Sequence, residues 1–142
     1  MTDTNKAVAL KFLDAMSVGD AAGQAACLTE DAYTVTKGFA SVSGQRNRET
    51  MIATVDAFRE IVPTGFRHKV IKVVGEGDVV VVEWDGNAVL SNGEPYCNQY
   101  VFIFTFRDGL ICRLEEYFCT VLADRVILPL LAGQSDAMAH GN

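Results

Sequence analysis

No stretch of this sequence stays apolar for the ~18 residues that a membrane span needs, and its opening, MTDTNKAVAL, lacks the basic start and continuous apolar run of a secretory signal. A cytoplasmic address without membrane contact is the expectation. Basic residues are also scarce, with 12 Lys and Arg against 18 Asp and Glu, a formal net charge of −6 and a pI near 4.8. Such a chain repels a phosphate backbone, so nucleic acid is not an expected partner. Histidine is nearly absent (His68 and His140), and the four cysteines, Cys27, Cys97, Cys112 and Cys119, include no Cys-x-x-Cys pair. A zinc cluster is therefore not expected, the thiols read as reduced, and no metal or organic cofactor is implied.

What is present is ordinary for a globular protein: 49% of residues are apolar and 21% charged, which is enough to build a core and too apolar for disorder. At 142 residues, with no internal repeat and no interdomain linker, the chain reads as one domain over residues 1–132 followed by a polar tail over 133–142. Val8, Phe12, Ala15 and Met16 recur at helical spacing between Asp3 or Thr4 and Gly19. Asp20 caps a short second helix, Tyr33 and Val35 mark a brief strand, and GFASVSGQ reads as a loop. Asn47 caps a third helix whose stripe of Ile52, Val55, Phe58, Ile61 and Val62 runs up to Pro63. Four β-rich runs then follow, 66–74, 79–90, 96–106 and 110–121, separated by GEGD, SNGE and RDGL, and LADRVILPLL reads as a short closing helix. Helices followed by a meander predict an α+β fold with an antiparallel sheet covered by helices on one face.

The hairpin turns set an expected register. A two-residue turn at Asp108-Gly109 pairs Arg107 with Leu110, and counting outward places Phe102 opposite Glu115, Tyr100 opposite Tyr117 and Asn98 opposite Cys119. A like turn at Asn92-Gly93 adds Glu83, Asp85 and Asn87 to the same rows. One face then mixes acids, phenols and phenylalanines, as a small-molecule pocket requires, and the other carries Val80, Val82, Trp84, Val101 and Ile103. With both faces apolar, helices cover one and a second copy of the chain is expected on the other, giving a homodimer through the sheet.

DAAGQAACLTEDAYTVT, the run from Gly77 to Ile111 and above all EEYFCT resemble the nuclear transport factor 2-like superfamily, and within it the SnoaL-like group related to ketosteroid isomerases. The resemblance covers roughly residues 5–132. It implies a single SnoaL-like domain, a cone-shaped curved antiparallel sheet packed on N-terminal helices in a cystatin-like arrangement, and an internal pocket for a small hydrophobic molecule. It also implies an aspartate where this chain has Cys119.

Each candidate side chain carries two readings. Cys119 is a packing or pocket-lining thiol, or one half of a pair with His68. Glu83, on an apolar strand, is an acid/base group with a raised pKa, or the structural partner of Arg46, Arg67 or Arg113. Tyr100 and Tyr117 hold a substrate oxygen or pack as a cross-strand pair. Asn98 orients a ligand or satisfies a strand, and Tyr33, His68 and Asp85 are further candidate contacts. The expected function is binding of an apolar small molecule, with isomerase, cyclase or hydrolase chemistry if the protein is an enzyme. The alternative is a non-catalytic ligand-binding or protein-association module of the same fold.

Overall fold

The structure, a computed structural model, describes residues 2–133. Helix α1 (Thr2–Ser17) ends at Gly19, whose φ of 73° suits a residue without Cβ. Helix α2 (Ala21–Ala25) is capped by Asp20, whose carboxylate accepts from Gly23 N at 2.9 Å. Strand β1 (Leu28–Thr36) is longer than Tyr33 and Val35 alone indicate, and the expected loop after it contributes strand β2 (Gly44–Asn47). Helix α3 (Arg48–Ile61) starts from Asn47, which accepts from Thr50 N at 2.9 Å. The meander β3 (Arg67–Glu76), β4 (Val79–Val89), β5 (Pro95–Arg107) and β6 (Leu110–Phe118) follows, then α4 (Thr120–Val126). Helical backbone resumes over 128–133, and all but the first residue of the expected tail lies outside the described residues.

The six strands lie in the order β2-β1-β6-β5-β4-β3, and the fold class is the α+β class expected. The sheet is mixed rather than antiparallel throughout, because β1 pairs with β6 in parallel. That pairing is open to β1 because a long connection through α3 and the meander brings the chain back in the same direction. The helices pack on one face only. Between them lie Phe12, Leu13, Val80, Val82, Trp84, Phe102, Phe104, Ile111 and Leu114, all almost fully buried. Rings pack edge to face from Phe12 onto Phe104 (5.5 Å) and from Trp84 onto Phe102 (5.2 Å), and Trp84 stacks on Tyr100 at 4.0 Å. Each such ring contributes roughly 1.5–3 kcal/mol by leaving water.

Both expected registers are off by one residue, for two different reasons. Arg107 does face Leu110 across Asp108 (φ 53°) and Gly109 (φ 81°), but the pairing slips between Phe106↔Ile111 and Thr105↔Arg113. Cys112 is the extra residue, a bulge whose thiol reaches the Thr105 carbonyl at 3.4 Å. Phe102 is therefore opposite Glu116, and Tyr100 is opposite Phe118. At the other hairpin Leu90 N bonds Glu94 O (2.8 Å) and Gly93 has φ 86°, so three residues turn where two were expected. Glu83 consequently pairs with Val101, Asp85 with Gln99 and Asn87 with Cys97. A one-residue slip sends every side chain to the opposite face. Glu83, Asp85, Asn87 and Tyr117 stand on the outer face, and Val80, Val82 and Trp84, expected there, line the core.

Candidate functional site

The helices do not fill the concave face of the sheet. A cavity of about 410 Å³ remains, walled by Phe12 and Met16 of α1, Met51, Val55 and Phe58 of α3, Trp84, Phe102 and Phe118 of the sheet, and Ala123 and Ile127 of α4. Its size is in the range of sites for small organic ligands, and its walls are mostly apolar. Few polar groups break that lining, and they fall into two clusters.

The first is centred on Glu116. Strand β6 points it inward, and Thr34 and Thr36 of β1 meet it because the parallel pairing sets Thr36 beside Glu116. Thr34 donates to Oε1 at 2.8 Å and Thr36 to the same oxygen at 3.4 Å. Arg46 stands behind, donating to the Thr36 hydroxyl (3.1 Å) and the Val42 carbonyl (2.7 Å). Burial raises the pKa of Glu116, and it outweighs the Thr34 hydrogen bond, the Arg46 charge and the Thr36 hydrogen bond, all of which favour the anion. The carboxyl group is thus held by one oxygen on a wall of the cavity, at a pKa above the ordinary range.

The second cluster is a pair of phenols. Tyr100 Oη lies 3.0 Å from Tyr96 Oη, and Asn98 donates to Tyr96 Oη at 2.8 Å and to the Cys119 carbonyl at 3.0 Å. Both Asn98 protons are committed, so Tyr96 must accept from it. Two phenolic protons remain for one phenol-to-phenol bond, which leaves one O–H free to donate into the cavity that both rings line. Burial raises both phenols, Tyr100 well above the usual range, so they are protonated donors at neutral pH. Trp84 adds a buried indole N–H without a partner among the described residues.

Of the eight residues singled out in the sequence, only Tyr100 lines this cavity, with Asn98 bracing it. Glu83 and Asp85 face away from it. Cys119 is exposed at the start of α4, its N–H bonded to Asn98 Oδ1 at 3.2 Å. His68 bonds Asp14 at 2.9 Å rather than Cys119. Tyr33 packs under the Arg113 guanidinium at 5.8 Å, and Tyr117 is 43% exposed on the outer face. Sequence reasoning missed Glu116, Tyr96, Thr34 and Thr36, and offered Arg46 only as a partner for Glu83. One signal was there: Ile111 and Leu114 are three apart in an otherwise alternating strand, which marks a bulge between them and turns Glu116 inward.

Helices laid on one side of a curved mixed sheet, with an apolar cavity between the layers, define a cone-shaped α+β protein of the nuclear transport factor 2-like superfamily. Residues 9–114 match the SnoaL-like domain, and the chain belongs to that family. The match stops two residues before Glu116 and so does not speak for it. Among solved structures, the chain is similar to PrhC from Penicillium brasilianum NBRC 6234 (21% identity, TM-score 0.80, 94% of this chain and 91% of that one). It is also similar to a nuclear transport factor 2-like protein from Burkholderia xenovorans LB400 (21%, 0.70, 88% and 96%) and an LEH-like epoxide hydrolase from M. tuberculosis (17%, 0.69, 99% and 98%). No curated protein sequence matches the chain. These likenesses support the fold.

Proposed function

We propose that the protein is a cofactor-independent enzyme that moves a proton on an apolar, oxygen-bearing substrate, with Glu116 as acid/base and the Tyr96–Tyr100 pair holding the substrate oxygen. The observation that carries this reading is the pairing, inside one apolar cavity, of a carboxyl group with a raised pKa and a phenolic O–H that no protein group uses. A buried carboxyl tuned upward is what proton abstraction near neutral pH needs. A protonated phenol aimed at the carbonyl oxygen stabilises the enolate that forms. Hydrogen bonds from Asn98 and the partner phenol polarise that donor. The substrate enters as a ketone on an apolar skeleton, and the proton leaves the carbon next to its carbonyl for the Glu116 carboxylate, which later returns it.

A non-catalytic binding module is favoured by one observation: Cys119, where related enzymes have an aspartate, is exposed and does not line the cavity. The two readings separate in deuterium exchange at the α-carbons of cyclic ketones, followed by NMR. Exchange by the wild type, lowered about 100-fold or more in Glu116→Gln, supports the enzyme. Binding of the same ketones without exchange would leave the module.

A further inference from the structure

The phenols account for one end of the cavity, and the acid stands further along β6. At the other, Gln24 of α2 is 3% exposed, lines the same space, and its Oε1 has no hydrogen-bond partner among the described residues. A buried carboxamide in that condition is disfavoured relative to an apolar side chain of the same shape. Nothing in the chemistry assigned to Glu116, Tyr96 and Tyr100 uses it.

Its position is set by the fold. Cys27 N donates to Gln24 O (3.0 Å) and Ile111 N to Cys27 O (2.8 Å), which fixes α2 at the turn end of β6. The phenols sit at the opposite end, tied through Asn98 to the Cys119 carbonyl. Ile111 and Cys119 are eight residues apart in the chain, at opposite ends of β6. Glu116 lies between them.

We propose that Gln24 is a substrate-recognition residue, and that the substrate is an elongated, largely cyclic apolar molecule with an oxygen at each end. One oxygen is taken by the phenol pair and the other, a hydroxyl or carbonyl, by the Gln24 carboxamide. The amide can turn to present either its oxygen or its N–H, so it fits both kinds of group. The inference rests on the cavity being the substrate site, and it extends that reading to the class of substrate.

The test compares acetylbiphenyl with its derivative carrying a para hydroxyl on the distal ring, by calorimetry and thermal shift, on wild type and Gln24→Leu. The hydroxylated probe is expected to bind wild type about tenfold more tightly than its parent. Gln24→Leu is expected to erase that difference, leave the parent's affinity unchanged and raise the melting temperature of the protein without probe. Gln24→Met, closer in shape, repeats the comparison if the leucine variant folds poorly. Unchanged discrimination in either variant, or a lower melting temperature in both, would assign Gln24 a structural role and overturn the proposal. Failure of either probe to bind wild type would overturn it together with the cavity reading. Discrimination that follows Gln24 in a protein unable to exchange ketone protons would keep the recognition role and remove the enzymatic one.

Discussion

Glu116 is half-buried against two threonine hydroxyls with a guanidinium one bond further out, and desolvation still prevails. Its pKa is raised in the folded protein, so the folded state holds its proton more tightly than the unfolded chain does. The stabilisation from that proton is complete below the ordinary carboxylate range and is lost as pH rises through the raised value. Glu116→Gln should therefore melt above wild type at neutral pH, with the gap closing in acid. A melting series across that range checks this, and a gap that widened in acid would contradict the assigned direction. Exchange activity has the opposite dependence, rising with pH as the carboxylate forms. Gly86 supports the same site: a Cβ there would meet Trp84 Cζ3 at 2.8 Å and Tyr100 Cε2 at 3.1 Å. Gly86→Ala should push apart the indole–phenol stack and destabilise the fold by about 1–3 kcal/mol. Chemical denaturation measures that loss, and changed tryptophan fluorescence would locate it.

Cys112 decides, as a bulge in β6, which half of that strand faces the cavity. Deleting it should give strict alternation from the Asp108-Gly109 turn with the pairs unchanged, Thr105 still facing Arg113 and Phe102 still facing Glu116, so that Glu116 stays inward. The expected result is a variant that still unfolds cooperatively and keeps Glu116 in the cavity, and loss of cooperative unfolding would show that the bulge itself is needed to seat β6. The turn itself was legible, since an Asp-Gly pair between alternating hydrophobics demands it. The bulge was harder to read because both sheet faces are apolar: Val81, Val101 and Ile103 on one side are as strand-like as Val80, Val82 and Phe102 on the other. Hydrophobic pattern alone could not reject the slipped pairing. The helices and their caps at Asp20 and Asn47 were legible because side-chain capping is local. The cluster of Thr34, Thr36, Arg46 and Glu116 was not, because it joins β1 to β6 across some eighty residues of chain. A second element-level contact ties the loop after β1 to α4, where Asp124 accepts from Ser41 N (2.8 Å) and Val42 N (2.9 Å). Val42 and Ala123 both line the cavity, so this contact joins two of its walls. Asp124→Ala should speed amide exchange at Ser41 and Val42 and leave the β5 amides protected.

The whole molecule has one sheet face covered by helices and one left open, and the open face is where the outward-turned candidates now stand. Val81, Val101 and Ile103 form a half-exposed strip there, and Val74, Val79 and Tyr117 are more exposed still. Charges of both signs surround the strip. Lys72 is across from Glu83 and Lys69 from Asp85, while Glu115 takes Lys37 at 3.2 Å and Arg113 at 3.4 Å. A chain of net charge −6 repels its own copies at long range, yet this face is nearly balanced and can meet itself about a two-fold axis with opposite charges in contact. The proposed occupant is therefore a second copy of the chain, in a homodimer through the sheet. Light scattering on a sizing column should give twice the chain mass at micromolar concentration. Ile103→Arg, which places a charge mid-strip, should return a folded monomer, and Val121→Arg on exposed α4 should remain dimeric. A monomeric wild type would mean that the strip is tolerated in water, which its mixed charges could allow. In that case the outer face would have no role in closing or completing the site.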